Sequence, residues 1–144
     1  MEKIDFSKFN KGIFMINAVG IVYNKKLGKV LIGKREKDPY VESLFWSFPG
    51  GRIDYNNEIE DSLKEAIKKK TGIDVRVKEI IFARITPEID RKQAILYYYC
   101  ETEQEKPSAS DSFVEVKWVD SKECKNYFTT SVHPNIIKFL DKLK

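Results

Sequence analysis

The distribution of apolar and polar positions along the chain predicts five β-strands. Five segments are rich in β-branched and aromatic residues, a composition typical of strands. They are Phe14 to Asn24, Gly28 to Glu36, Val75 to Thr86, Lys92 to Thr102 and Phe113 to Asp120. The last of them largely alternates apolar and polar residues, which indicates a strand with one buried face and one hydrated face.

Two further segments have the spacing of amphipathic helices. The first is Asn57 to Thr71, and its apolar stripe consists of Ile59, Leu63, Ala66 and Ile67. Asn57 and Glu60 are spaced as a capping pair, and Gly72 is suited to end the helix. The second begins near Pro134, and its stripe consists of Ile136, Phe139, Leu140 and Leu143. Strands interrupted by one helix and closed by another predict an α/β fold, with a mixed central sheet in an α/β/α sandwich.

The length and charge of the chain narrow its class. A chain of 144 residues fits a single domain, residues 1–144, with one continuous core. Its 26 basic and 22 acidic residues give a formal charge of +4, a small excess that favours phosphate-bearing small molecules and argues against a nucleic-acid partner. The first residues, MEKIDFSKFNKG, contain no apolar run, so we expect no signal peptide, no membrane partner and a cytoplasmic location. A homodimer remains an open alternative.

The cysteines and the histidine offer little chemistry. Cys100 and Cys124 lie far apart and form no CxxC pair, so a zinc site and a Cys-His catalytic pair both lack support. We expect both thiols to be structural. His133 stands directly before a proline, where a surface turn or the start of a helix is a better interpretation than a general base.

A longer motif surrounds the first helix. The stretch LFWSFPGGRI, followed by a helix and then KKTGIDV, resembles the signature of the Nudix (MutT-like) hydrolase family, G-x5-E-x7-R-E-U-x-E-E-x-G-U, where U is apolar. With Gly51 on the first glycine, Gly72 and Ile73 fall on the last two positions without a gap, and Ile67 falls on the internal apolar position. The resemblance extends from about Phe14 to Leu140 and implies the Nudix fold. It also implies hydrolysis of nucleoside diphosphate derivatives with Mg²⁺ held largely by helix glutamates.

The charged positions of the signature are all changed. Asn57 and Ala66 stand where the family has glutamates, and Glu65 stands where it has arginine. Lys69 and Lys70 replace the final glutamate pair. Because those glutamates hold the metal against the substrate pyrophosphate, we expect ordinary metal-dependent hydrolysis to be impaired or lost. The chain would then recognise a nucleoside diphosphate-linked ligand without cutting it.

An active enzyme remains the alternative. Relocated carboxylates such as Asp54, Asp111 or Glu115 could hold Mg²⁺ together with substrate phosphates. The segments LIGKRE and LFWSFPGGRI also look like those of GDP-mannose mannosyl hydrolases, a branch with an altered signature, so the substrate could be a nucleotide-sugar. A third alternative makes the basic end of the helix, Lys68 to Lys70, a docking surface for protein or RNA.

The predicted phosphate site combines flexible backbone with positive charge. Glycines allow an anion to approach the backbone closely, and arginine offers a planar fork for phosphate oxygens. The two lysines could contact phosphate directly, or they could be an ordinary solvated last turn that favours the helix dipole. The candidates for phosphate binding are Gly50, Gly51, Arg52, Lys69, Lys70 and Arg35.

Overall fold

The computed structural model describes residues 14–36, 45–53, 55–85, 93–129 and 132–143. The strands are β1 (Met15–Asn24), β2 (Lys29–Arg35), β3 (Trp46–Ser47), β4 (Gly50–Arg52), β5 (Arg76–Ile85), β6 (Gln93–Glu101) and β7 (Phe113–Asp120). The helices are α1 (Ile59–Thr71) and α2 (Pro134–Lys142), with a short 3-10 helix at Cys124–Asn126. Each of the five long strands begins and ends within two residues of the bounds that the sequence pattern predicts.

These strands form one mixed sheet with the order β3-β2-β1-β6-β5. In addition, β4 pairs with β1 and β7 pairs with β2. The β1–β6 pair is parallel, and the other described pairs are antiparallel. The predicted mixed sheet is therefore confirmed.

A helix covers each face of the sheet. Leu63 and Ile67 of α1 are buried in one apolar cluster with residues of β1, β2 and β6. Ile136 and Leu140 of α2 are buried in a second cluster on the opposite face. We call these the α1 face and the α2 face. Their two cores confirm the α/β/α sandwich.

The ends of the helices agree only in part with the sequence pattern. Gly72 ends α1 in the left-handed conformation, with φ 73°, and its N–H donates to the carbonyl of Lys68. The predicted capping pair is wrong, because α1 begins at Ile59 and Asn57 lies too early to cap it. Glu58 is the N-cap residue, and its side chain makes no capping hydrogen bond. At the start of α2, His133 Nδ1 accepts a hydrogen bond from the Asn135 N–H, so its predicted role at a helix start is confirmed.

Both cysteines are buried free thiols, as a structural role requires. Burial raises the pKa of each thiol to about 12, so neither is a ready nucleophile at neutral pH. Within the described residues, neither helix is long and apolar enough to cross a membrane.

Candidate functional site

The last turn of α1 contacts β4 through Lys70. Its Nζ donates a hydrogen bond of 2.5 Å to the carbonyl oxygen of Gly50. A Cβ at Gly51 would lie 3.7 Å from the same Nζ. Gly50 itself packs tightly against β1, where an added Cβ would lie 2.1 Å from the carbonyl oxygen of Ala18. The two glycines therefore let β4 pass between β1 and the lysine.

The segment between β6 and β7 holds this end of α1 in place. The N–H of Ser108 donates to the carbonyl of Thr71 at 2.8 Å, and the N–H of Ser110 donates to the carbonyl of Lys70 at 3.1 Å. The last carbonyls of a helix have no partner within it, so these bonds complete the end of α1. Backbone hydrogen bonds between distant segments leave no sequence pattern, so the sequence gives no signal for these contacts.

Several positive charges surround Lys70. Burial lowers the pKa of Lys70, and the nearby charges of Arg35 and Lys69 lower it further, while Asp111 opposes the shift. Arg35 ends β2 and is half-buried. The structure thus brings together Arg35, Lys70 and the two glycines among the predicted phosphate-binding residues. Arg35 and Lys70 thus place two positive charges close together at this end of the sheet.

Phe113 is a member of this site that the sequence pattern does not single out. Its ring centroid lies 5.9 Å from Lys70 Nζ. A Cβ at Gly33 would lie 2.2 Å from the ring, so the glycine makes room for it. Phe113 pairs with Arg35 where the β2–β7 register shifts. The spacing of apolar and polar residues does not reveal an irregularity of this kind. The sequence therefore predicts only that a strand starts at Phe113.

The three consecutive lysines have different neighbours. Lys68 Nζ lies 3.1 Å from Asp74 Oδ2, and Lys69 Nζ lies 3.8 Å from Asp111 Oδ1. Only Lys70 reaches the glycines of β4. The lysines therefore do not present one continuous basic surface, and Lys69 is placed beside a carboxylate at the rim.

The remaining predicted residues lie elsewhere. Gly51 and Ile53 face α1, so Arg52 between them points to the other side of the sheet, where it is exposed. Val116 packs on the α1 face, so its neighbour Glu115 points away from Lys70. Asp54 lies outside the described residues. Of the three alternative carboxylates, Asp111 is the one that the structure places beside the lysines.

The residues present do not fit the magnesium site that the Nudix signature implies. Mg²⁺ prefers carboxylate, carbonyl and water oxygens. The helix positions aligned with the metal-binding glutamates carry Ala66, Lys69 and Lys70, and the carbonyl of Gly50 accepts from an ammonium group. In the parts of the chain that the structure describes, no group of three or more acidic, histidine or cysteine side chains could hold a metal ion.

An aromatic cleft of about 720 Å³ opens on the α2 face. Its lining includes Lys34, Glu36, Phe45, Trp46, Asn126 and Tyr127. Phe45 and Trp46 lie shortly before the two glycines in the chain. Tyr127 is a contribution that sequence reasoning missed, because it comes from a distant segment after β7.

Lys117 organises two of the aromatic rings. Its Nζ lies 4.8 Å from the centroid of Trp46 and 4.2 Å from that of Tyr127. The two rings contact each other edge to face, with centroids 5.7 Å apart. A cation within about 6 Å of an aromatic face is attracted by the ring quadrupole. The lysine therefore stabilises one wall of the cleft.

The cleft and the Lys70 site meet at the end of β2. Lys34 lines the cleft, and the next residue, Arg35, acts on Lys70 from the opposite face. Successive strand residues face opposite sides, and their Cα atoms are separated by about 3.8 Å. The two features therefore approach each other at the end of β2.

Comparisons with known proteins agree with this architecture. An 8-oxo-dGTP diphosphatase from Buchnera aphidicola subsp. Schizaphis graminum is 28% identical over 125 residues, which cover 87% of this chain and 92% of the relative. The MutT protein from Methanosarcina mazei Go1 superposes with a TM-score of 0.74 at 16% identity, covering 90% of this chain and 94% of that one. The NUDIX domain of Shewanella oneidensis NrtR, solved with ADP ribose, has a TM-score of 0.69 at 16% identity and covers 96% and 90%. A family model described as NUDIX domain matches residues 14–142, and the chain therefore belongs to the NUDIX domain family.

Proposed function

We propose that this chain recognises a ligand containing a nucleoside diphosphate group, and that its metal-dependent pyrophosphate hydrolysis is reduced or lost. The observation that carries the proposal is the hydrogen bond from the Lys70 ammonium to the Gly50 carbonyl. Lys70 occupies a position where the family has a metal-binding glutamate. A half-buried cation beside Arg35 attracts phosphate. The same charge disfavours a second cation.

The aromatic cleft supplies the second half of the proposed site. A nucleobase of any type can stack on an aromatic ring, because every base has a π-face. Phe45, Trp46 and Lys34 line the cleft. Arg35, which belongs to the Lys70 site, follows Lys34 directly in the chain. The names of two relatives support a nucleotide ligand, since one is a diphosphatase of 8-oxo-dGTP and another was solved with ADP ribose.

A second candidate is an active Nudix hydrolase. The relationship to an 8-oxo-dGTP diphosphatase over 87% of the chain favours it. Such an enzyme would need carboxylates outside the altered helix face, and of the three proposed carboxylates Asp111 is the one that lies beside Lys69, at 3.8 Å. A nucleotide-sugar such as GDP-mannose remains a substrate prediction under this candidate.

One pair of measurements separates the two functions. The first is hydrolysis of a panel containing 8-oxo-dGTP, ADP ribose and GDP-mannose, with Mg²⁺ or Mn²⁺. The second is the thermal shift of the protein with the same compounds, since a ligand that binds only the folded state raises its stability. Stabilisation without turnover is expected. Metal-dependent turnover that disappears in Asp111→Asn, Glu115→Gln or Asp54→Asn would instead establish the hydrolase.

A further inference from the structure

Lys70 brings a fixed positive charge to a part of the backbone that cannot move away from it. Its Nζ lies 2.5 Å from the carbonyl oxygen of Gly50. The Gly50 backbone is confined by β1, since an added Cβ would lie 2.1 Å from Ala18 O and 2.6 Å from the Cα of Val19. The ammonium and the carbonyl therefore hold a defined relative position.

The ammonium group still has hydrogen-bonding capacity. A lysine ammonium has three N–H donors, and the Gly50 carbonyl takes one of them. No further acceptor within the described residues lies at hydrogen-bond distance from Lys70 Nζ. A Cβ at Gly51 would lie 3.7 Å from Nζ, so the glycine places no side chain against the ammonium. The described residues therefore leave two of its donors for a phosphate group.

The charges around Lys70 are unfavourable for a divalent cation. Arg35 and Lys69 are both close enough to act on its ionisation, and among the described residues Asp111 is the acidic side chain that does so. Asp111 is itself 3.8 Å from the ammonium of Lys69. Among the described residues that act on Lys70, positive charges thus outnumber negative ones, and the carbonyl that could bind a metal already accepts from Lys70. A divalent ion would have to displace the Lys70 ammonium from the Gly50 carbonyl. It would then lie close to the positive charges of Arg35 and Lys69.

We infer that the Lys70 ammonium is a built-in substitute for the divalent cation, so that the chain binds the diphosphate group of its ligand without metal and keeps metal away from the Gly50 carbonyl. This inference rests on the proposed recognition of a nucleoside diphosphate ligand and names the group that recognises it. The family's metal site and this lysine are alternative solutions to the same problem, which is to place positive charge against phosphate oxygens.

The first test measures the affinity of the full chain for ADP by calorimetry, in EDTA and in Mg²⁺. The wild-type affinities are expected to agree within about twofold. Lys70→Met removes the charge but keeps a similar stem, and it should weaken binding by roughly tenfold or more, as expected for a lost charge-assisted hydrogen bond. Lys70→Arg keeps the charge and should recover part of the affinity. Lys69→Met is the matched control from the same helical turn and should weaken binding by less than about threefold, as for an exposed charge.

The second test measures metal directly and does not depend on any nucleotide. Binding of Mn²⁺ is followed by electron paramagnetic resonance, with circular dichroism and thermal melting to establish that each variant is folded. The wild type and Lys70→Met should bind little Mn²⁺. Lys70→Glu places a carboxylate beside the freed Gly50 carbonyl and should bind Mn²⁺ more tightly than the wild type does. Tight Mn²⁺ binding by the wild type that Lys70→Glu does not increase would overturn the inference.

The outcomes distinguish this inference from the proposed function. If ADP binds the wild type but requires Mg²⁺, or if Lys70→Met binds it as tightly as the wild type does, the inference fails and nucleotide recognition stands. If ADP, ADP ribose and 8-oxo-dGTP all fail to bind with and without metal, the proposed function fails and this inference fails with it. Metal-independent binding that Lys70→Met weakens and Lys69→Met retains supports both.

Discussion

The two faces of the sheet use lysine in opposite ways. On the α1 face, Lys70 bonds to a backbone carbonyl and has Arg35 as a charged neighbour. On the α2 face, Lys117 lies over two aromatic rings, with centroid distances of 4.2 and 4.8 Å. The first ammonium donates to a carbonyl, whereas the second has its charge against the rings of Trp46 and Tyr127.

Under the proposed function, each face would contact a different part of the ligand. A cation with spare donors beside a glycine backbone suits phosphate oxygens. A cation that stabilises aromatic rings instead preserves flat surfaces, which suit a nucleobase. Because Lys34 and Arg35 are consecutive in β2, the two surfaces adjoin at one end of the strand. The following substitutions test each part of this division.

The largest expected effect is at Gly50, on which the α1 face depends. In Gly50→Ala the new Cβ would lie 2.1 Å from Ala18 O and 2.6 Å from Val19 Cα, and neither backbone atom can rotate away. We expect a loss of about 3 kcal/mol in the free energy of unfolding, the upper end for overpacking. Urea denaturation of the purified variant measures it.

Gly51→Ala is the matched control for this prediction. Its Cβ would lie 3.5 Å from Ala66 Cβ and 3.7 Å from Lys70 Nζ, which are ordinary contacts. We expect less than about 1 kcal/mol of change in the free energy of unfolding, as for most substitutions without steric conflict. Equal losses at the two glycines would contradict the close approach of β4 to β1.

The next effect concerns the α2 face and ligand affinity. Phe45 lines the cleft and is 41% exposed, so Phe45→Ala removes stacking surface with little change to the core. We expect the free energy of ADP binding to weaken by about 1–2 kcal/mol, as for one stacked base. Calorimetric titration measures it. Phe14→Ala is the control, since Phe14 is 42% exposed and does not line this cleft. An equal loss of affinity in both variants would remove the cleft from the proposed site.

Sequence reasoning predicted well what depends on local periodicity. Leu63 and Ile67 follow the helical spacing and are both buried under the sheet. Ile136 and Leu140 of the second helix also follow the helical spacing, and both are buried on the α2 face. Gly72 also ends α1 as predicted, because a left-handed backbone at a helix end favours glycine. Burial of an apolar stripe needs no knowledge of which strand it meets, so the fold could be predicted.

The candidate site was less predictable because it depends on contacts between distant segments. Lys69 and Lys70 are equivalent in the signature, yet one contacts Asp111 and the other contacts Gly50. That distinction depends on the packing of β4 against β1 and on the loop before β7. Phe113 enters the site through a register shift, and Tyr127 enters the cleft from the far end of the chain. None of these contacts has a signal in the spacing of residues.

A smaller effect is expected in the pH dependence of stability. Because the pKa of Lys70 is lowered below its unfolded value of 10.5 by burial, the folded state binds this proton less tightly than the unfolded state. The resulting cost is fully present below the folded pKa and disappears as pH rises through 10.5. The stability of the wild type relative to Lys70→Met should therefore rise between neutral pH and pH 10.5, as measured by urea denaturation. A difference that stays constant with pH would show that the charge of Lys70 is not disfavoured.

The smallest effect is expected at the rim of the α1 face, where Asp111 combines a charge with an unusual backbone. Its ion pair with Lys69 is long and solvent-exposed, at 3.8 Å, so Asp111→Asn should change the free energy of unfolding by less than about 0.5 kcal/mol. Asparagine also tolerates the left-handed backbone that Asp111 adopts, with φ 57°. Alanine does not, so Asp111→Ala should cost about 1 kcal/mol. A large loss in Asp111→Asn, measured by the same denaturation, would mean that this carboxylate balances the buried charge of Lys70, and the α1 face would then be less positive than its lysines suggest.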